Sequence, residues 1–142
     1  MAPLHSRLSA IAAVAVGGLL GTPLRYLFGV WFPHTTGTWP TATFAVNILG
    51  AFTLGLLLEA LTRLGPDTGT RQRLRLCLGT GLLGSFTTYS TLAVDTTLLV
   101  RADQPGLALA YSLATVVIGL LTTMAGIAVA ALVRPRPEVE AR

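Results

Sequence analysis

Four long apolar segments, separated by three short polar gaps, organise the chain. They run from about 8 to 31, from 41 to 61, from 74 to 100 and from 107 to 133. A transmembrane helix needs about 20 predominantly apolar residues, and each segment meets that length. The pattern predicts an all-α membrane protein whose four spanning helices occupy residues 1–133, followed by a polar tail at residues 134–142.

The third segment contains a stretch that a lipid-facing helix would not need. Between Gly79 and Thr91 it holds three glycines, among several serines and threonines. Glycine weakens a helix by about 1 kcal/mol relative to alanine, and it lets the backbone leave the helical ladder. Carbonyl groups released inside hydrocarbon must find other partners. The composition therefore predicts a break in the third helix that forms an ion site or lines a pathway.

The overall composition supports a membrane protein. Hydrophobic residues make up 52% of the chain and charged residues 11%, against about 25% charged residues in soluble domains. The isoelectric point of about 10.2 reflects arginines at the ends of the spans, so we expect no nucleic-acid binding. The sequence contains no nucleophile–base pair and no His/Cys/Asp/Glu cluster with metal-ligand spacing, so we expect no enzymatic activity.

The arginines predict an orientation. With four spans, the N-terminus, the second gap and the C-terminus share one side of the membrane. That side carries Arg7, Arg63, Arg71, Arg73, Arg75, Arg134, Arg136 and Arg142, and the other side carries Arg25 and Arg101. Positive residues accumulate in cytoplasmic loops. We therefore expect a multi-pass protein of the cell membrane, with both termini in the cytoplasm.

Polar residues inside the spans allow two interpretations. Thr43 and Asn47 are four residues apart, so they share one face of a helix, and the amide of Asn47 must find hydrogen-bond partners. Tyr111, Thr115 and Gly119 follow one another at the same spacing. Such positions can line a pathway for a small anion, because neutral donors bind weakly enough for the ion to leave. They can also serve close packing between helices.

Two ionisable side chains lie near the ends of the spans. Arg25 precedes the first gap by seven residues, so it either reaches the interface or lines an anion vestibule. Asp95, near the end of the third span, can face an aqueous vestibule, pair with an arginine or serve packing and topology. Ionisable residues within a span are costly and usually functional.

Three blocks of the sequence lie on three successive predicted spans: Gly17–Tyr26 (GGLLGTPLRY), Thr43–Phe52 (TFAVNILGAF) and Gly81–Thr91 (GLLGSFTTYST). In content and order they are similar to the signature blocks of the CrcB/Fluc fluoride channel family. The resemblance implies a subunit that dimerises with an oppositely oriented copy or homologue. It also implies two fluoride pores along the dimer interface of a passive channel that lowers cytoplasmic fluoride.

The resemblance further implies roles for individual residues. The backbone carbonyls of Gly84 and Thr87 are expected to hold a structural Na⁺ that is not transported, at the centre of the dimer. The expected fluoride pathway comprises Thr43, Asn47, Tyr89, Ser90, Thr91, Tyr111 and Thr115. Arg25 and Asp95 match the family's first-span arginine and the acidic position after the third-span motif, where glutamate is usual.

Three positions depart from the family pattern. Tyr89 and Leu92 stand where the family usually has phenylalanine, and Gly119 stands where it has a hydroxyl residue. Together with the uneven arginines, these departures suggest an alternative. The chain could have a fixed orientation and act as the weakly conducting or non-conducting partner subunit of a heterodimeric fluoride channel.

A proton-coupled small multidrug exporter would also have four spans. Such an exporter needs a glutamate within its first span for proton exchange, and residues 1–58 contain no acidic residue. The sequence therefore argues against an exporter.

Overall fold

The computed structural model describes residues 8–132, and every described element is helical. The helices are α1 (Leu8–Trp31), α2 (Thr41–Arg63), α3 (Gly69–Leu74), a π-helix (Arg75–Leu83), α4 (Gly84–Phe86), α5 (Tyr89–Arg101) and α6 (Pro105–Ala130). The expected all-helical class is therefore confirmed for this part of the chain. The predicted polar tail at residues 134–142 lies outside the described residues, as do Arg7, Arg134, Arg136 and Arg142.

Three of these helices, α1, α2 and α6, are long and apolar enough to cross a membrane. Helix α1 covers the range of the first predicted span. Helix α2 continues two residues beyond the predicted end, to Arg63. Helix α6 starts at Pro105, two residues before the predicted start, because the fixed φ of proline suits the first turn of a helix. The expected last residue of this span, 133, lies outside the described part.

Between α2 and α6 the chain forms several helical pieces. The π-helix follows α3 directly and leads into α4, which ends at Phe86. Thr87 and Thr88 are extended, with ψ angles of 161° and 122°. Helix α5 then begins at Tyr89, where the Thr88 hydroxyl accepts a hydrogen bond from the backbone N–H of Thr91 at 3.1 Å. A threonine in this capping position satisfies one of the unpaired donors at a helix start.

Glycines allow the helices to approach closely. A Cβ atom on Gly55 of α2 would collide with the Thr123 carbonyl of α6, and one on Gly126 would collide with the Phe52 carbonyl of α2. Between α1 and the π-helix, a Cβ on Gly17 would collide with the Cys77 carbonyl. Apolar burial does not drive helices together in lipid, so close packing through small residues is a main source of association.

Two groups of buried side chains form the core of the described residues. Val46, Leu83 and Phe86 form one group, and Leu99, Ala108 and Tyr111 form the other. Large apolar side chains on the outer faces of α1 and α6 are exposed, as a lipid environment requires. Polar groups of α1, α2 and α5 also meet at the break between α4 and α5, through Arg25, Asn47 and Thr91.

Candidate functional site

Asn47 of α2 binds the backbone at the break. Its side-chain Nδ2 donates to the Thr88 carbonyl at 3.0 Å, and the Thr88 N–H donates to Asn47 Oδ1 at 2.8 Å. Because a planar amide offers a donor and an acceptor side by side, it can satisfy both backbone groups of one extended residue. Asn47 thus replaces the helical partners that Thr88 lacks.

Arg25 of α1 contacts the neighbouring residue. Its Nη1 donates to the Thr87 carbonyl at 3.3 Å, and the side chain is half-buried. Thr87 is also tied to the end of the π-helix, because its N–H and its hydroxyl both donate to the Leu83 carbonyl, at 3.0 and 2.8 Å. The extended residues are therefore held from α1, α2 and the π-helix.

The break changes the bonding of Gly84. In a continuous helix the N–H of Thr88 would bond to the carbonyl four residues earlier, that of Gly84. Here the Thr88 N–H is directed to Asn47 instead. Gly84 itself remains helical, with φ −65° and ψ −30°. Its carbonyl is therefore released by the break, and Thr87 contributes a second carbonyl nearby in sequence.

Gly84, Thr87 and Asn47 line one cavity. This cavity has a volume of about 330 Å³, and its lining includes Asn47, Gly50, Gly84, Thr87 and Thr123. A Cβ on Gly50 would collide with Thr87 Cγ2, so glycine is required for α2 to lie against the break. Carbonyl oxygens are the ligands that hard cations prefer. The backbone carbonyl oxygens of Gly84 and Thr87 would therefore suit a small hard cation such as Na⁺.

A smaller cavity of about 110 Å³ lies at Thr88. Arg25, Thr43 and Thr91 are also among its lining residues. Since Asn47 lines the larger cavity and Thr88 the smaller one, their two hydrogen bonds join residues of the two cavities. Thr43 and Thr91, expected in the fluoride pathway, share this second cavity with Arg25.

Tyr111 and Thr115 of α6 are not among the lining residues of these two cavities. Tyr111 is fully buried, and its hydroxyl donates to Asp95 Oδ2 at 3.4 Å. The Thr115 hydroxyl donates to the Tyr111 carbonyl at 2.7 Å, within the same helix. The sequence left open an arginine partner for Asp95, and the structure gives it a tyrosine. The ion pairs within residues 8–132 join Arg63 to Glu59 and Arg75 to Asp67.

Two further residues of the expected pathway, besides Tyr111 and Thr115, lie outside both cavities. Tyr89 is 83% exposed, and Ser90 is exposed as well. Ser90 Oγ lies 3.2 Å from Thr88 Oγ1, so its hydroxyl remains close to the break. Within one chain, these two side chains do not meet Tyr111 or Thr115.

The family model described as "CrcB-like protein, Camphor Resistance (CrcB)" matches residues 12–127 of the chain. This chain belongs to the CrcB family. The match includes every residue of the two cavities. It confirms the family resemblance that the three sequence blocks indicated.

Several CrcB relatives bear names that describe ion channels. "Fluoride-specific ion channel FluC 2" of Leifsonia xyli subsp. xyli is 45% identical over 98% of this chain and 95% of its own length. "Fluoride-specific ion channel FluC 1" of Cutibacterium acnes is 44% identical over 78% of each protein. "Fluoride-specific ion channel FluC" of Agrobacterium fabrum is 41% identical over 83% of this chain and 93% of its own. CrcB is thus a family of channels rather than enzymes, as the sequence led us to expect.

Sequence reasoning missed two residues of this CrcB site. Thr88 was absent from the predicted set, although it caps α5 and receives both bonds of Asn47. A threonine just before a helical segment is a recognisable capping signal. Gly50 was also absent from the predicted set, and its close approach to Thr87 becomes evident only in three dimensions.

Proposed function

We propose that this chain is a subunit of a fluoride-selective passive channel that exports fluoride and so reduces its toxicity in the cytoplasm. The observation that carries the proposal is the Asn47–Thr88 pair, a neutral polar contact that joins residues of two cavities in a helical protein. The channel names of several CrcB relatives support fluoride as the ion.

The mechanism would be stepwise exchange of the water around fluoride for neutral donors of the protein. Asn47 uses one of its two amide N–H groups on Thr88, and the second can donate to an anion. The hydroxyls of Thr43 and Thr91 lie beside the smaller cavity. Ser90, Tyr89, Tyr111 and Thr115 complete the proposed pathway. Flow follows the electrochemical gradient, because weak neutral sites let the ion leave as well as enter.

The proposed assembly is an antiparallel dimer of four-span subunits in the cell membrane, with the third span broken at Thr87 and Thr88. Non-helical backbone at membrane depth is tolerated where it lies within protein or lines a water-filled cavity. The exposed Tyr89 and Ser90 support a second subunit over this face, since they flank the break. In this arrangement the two pathways lie along the interface.

A structural Na⁺ would be held by the carbonyls of Gly84 and Thr87 from each subunit. The release of the Gly84 carbonyl by the break supports this assignment. Thr87 already accepts one bond from Arg25, and a carbonyl oxygen has a second lone pair for a cation. When bound, such an ion would neutralise the converging carbonyl dipoles at the dimer centre.

The decisive experiment is ion efflux from liposomes that contain the purified full chain. We expect rapid release of fluoride, negligible release of chloride under the same gradient, and slower fluoride release when Na⁺ is replaced by a larger cation. Equal fluoride and chloride fluxes would contradict selectivity. Fluoride release that is independent of Na⁺ would contradict the sodium site and leave the channel function intact.

A partner subunit of a heterodimeric channel is the second candidate. The uneven distribution of arginines favours it, because Arg63, Arg71, Arg73 and Arg75 cluster around the α2–α3 connection. A subunit that inserts in both orientations should carry similar numbers on both sides. Leu92 and Gly119 lack the aromatic edge and the hydroxyl that the family usually has.

Topology and flux together separate the two candidates. A reporter fused to the C-terminus should lie only in the cytoplasm if the chain has a fixed orientation, and a mixed population would contradict the partner role. Robust efflux from liposomes with this chain alone would also show that no second protein is required. Efflux that appears only after addition of an oppositely oriented homologue would favour the partner role.

A further inference from the structure

A second site of a different character lies where α2 ends and α3 begins. A cavity of about 510 Å³ opens there, and its lining shares no residue with the Asn47 cavity. It is lined by Leu58, Leu61, Thr62, Gly65, Pro66, Asp67, Arg71 and Arg75. Its walls combine apolar side chains with two guanidinium groups, which the proposed fluoride pathway does not use.

The apolar part of the cavity belongs to a helix that can cross a membrane. Leu58 and Leu61 lie in the last turns of α2, whose range Thr41–Arg63 is long and apolar enough to span. The arginines lie just beyond the end of this helix, in α3 and at the start of the π-helix. Apolar side chains next to arginines are typical of a site at the boundary between the acyl chains and the head groups of membrane lipids.

The guanidinium of Arg71 is held in place by the connecting loop. Its Nε donates to the Pro66 carbonyl at 3.0 Å and its Nη1 to the Leu64 carbonyl at 2.8 Å. Gly65, with φ of +128°, lies against it, since a Cβ there would be 3.0 Å from Arg71 Cζ. A guanidinium has five N–H donors in a fixed plane. Arg71 is therefore orientated and still has donors beyond those that hold the loop.

The charges around the cavity do not cancel. Arg75 pairs with Asp67 at 2.8 Å, and Arg63 pairs with Glu59 at 2.7 Å. Arg71 donates to backbone carbonyls, which carry no net charge. An excess of positive charge therefore remains at this end of the molecule. Arginine suits phosphate in particular, because its planar group can bind two phosphate oxygens at once.

We propose that this cavity binds an anionic phospholipid of the surrounding membrane. The phosphate of the head group would lie at Arg71 and Arg75, and the first part of an acyl chain would lie against Leu58 and Leu61. The apolar walls favour a lipid over a soluble phosphate, which would gain nothing from them. The proposal requires that the chain spans a membrane, and it does not depend on which ion the protein conducts.

Native mass spectrometry of the full chain, purified in detergent, can test the proposal. Phosphatidylglycerol and phosphatidylcholine with the same acyl chains would be added at equal concentrations. We expect the anionic lipid to remain bound to a greater extent. Arg71→Gln should weaken its binding about fivefold, the effect of one arginine near an anionic head group. Leu61→Trp should weaken it by filling the cavity, with all charges retained.

Arg73→Gln provides the matched control. Arg73 lies on the same helix as Arg71, carries the same charge and does not line the cavity. We expect its substitution to leave lipid binding unchanged. If Arg73→Gln weakens binding as much as Arg71→Gln, the attraction is a general effect of surface charge and the proposal is overturned.

Three other results would also overturn the lipid site. They are equal binding of the two lipids, full binding by the Leu61→Trp variant, and displacement of the lipid by inorganic phosphate at millimolar concentration, which would indicate a soluble anion instead. If Arg71→Gln does not fold, the lipid comparison and the Leu61→Trp variant still decide the question, because both leave the loop contacts of Arg71 intact.

Discussion

The side-chain amide of Asn47 forms two hydrogen bonds with the backbone of Thr88, at 3.0 Å from its nitrogen and 2.8 Å to its oxygen. Asn47 lies in α2 and Thr88 in the extended break before α5, 41 positions further along the chain. Unpaired backbone groups are costly at membrane depth, since no water can satisfy them. Asn47 therefore makes the break possible and also leaves one amide N–H for another partner.

Asn47→Asp should abolish fluoride efflux. The aspartate has the same shape, but it loses both amide donors and places a carboxylate oxygen against the Thr88 carbonyl. Leaving a buried carbonyl unsatisfied costs about 1–3 kcal/mol, so thermal unfolding in detergent should begin at lower temperature. Thr53→Val is the control, because Thr53 is an exposed residue of the same helix whose hydroxyl bonds only to Leu49. Unchanged efflux in Asn47→Asp would remove Asn47 from the pathway.

The hydroxyl of Thr88 should stabilise the protein in addition to the backbone hydrogen bonds that Thr88 forms with Asn47. It accepts from the Thr91 N–H at 3.1 Å and bonds to the Thr91 hydroxyl at 3.0 Å. Thr88→Val keeps the shape and removes these bonds, so we expect a loss of about 1 kcal/mol, which is typical for a lost helix cap. Thr88→Ser retains the oxygen and should be close to wild type. Equal unfolding temperatures of the valine and serine variants would refute a capping role.

Gly17 and Gly18 offer a paired test of helix packing. A Cβ on Gly17 would lie 2.6 Å from the Leu82 nitrogen, whereas one on Gly18 would meet nothing within 4 Å. Gly17→Ala should therefore destabilise the protein by about 1–3 kcal/mol through overpacking. Gly18→Ala should be neutral or stabilising by up to about 1 kcal/mol, because alanine favours a helix. Unfolding in detergent measures both, and similar effects would contradict the close contact of α1 with the π-helix.

Tyr111→Phe tests how much the hydrogen bond between Tyr111 and Asp95 contributes to stability and efflux. The substitution removes the hydroxyl 3.4 Å from Asp95 Oδ2 and retains the ring that packs edge-on against Trp39. A buried polar group without its hydrogen bond costs about 1–3 kcal/mol, so both stability and fluoride efflux should fall. Tyr26→Phe removes a hydroxyl at a 71% exposed position and should change neither. A Tyr111→Phe protein with wild-type stability would show that the bond contributes little.

The apolar pattern predicted the helices better than the break. The range of helix α1 could be predicted from the continuous apolar segment that ends at Trp31, because such a segment is visible in the local sequence. The glycines and hydroxyls from Gly79 to Thr91 indicated a weak point, but Gly84 stays helical. The chain becomes extended at Thr87 because Asn47 and Arg25, both distant in sequence, bind the backbone there. Local composition cannot specify such contacts.

The candidate site was predicted as a set of residues rather than as an arrangement. Asn47, Gly84 and Thr87 share one cavity, so their polar character and position were informative. Tyr111 carries the same kind of signal, yet it is fully buried against Asp95 and Trp39. A hydroxyl in a membrane helix can serve a pathway or a neighbouring side chain, and the spacing along one helix does not distinguish the two.

The π-helix makes the number of residues before the break as important as their identity. Over the nine residues from Arg75 to Leu83, the bonding pattern reaches one residue further than in an α-helix. One residue corresponds to about 100° of helical rotation. The segment thus holds about one residue more than an α-helix of the same total rotation, so α-helical bonding of the same nine residues would turn Thr87 and Thr88 away from their partners. A relative with identical motif letters and one residue fewer in this segment would therefore need α-helical bonding there to present the same atoms to Asn47.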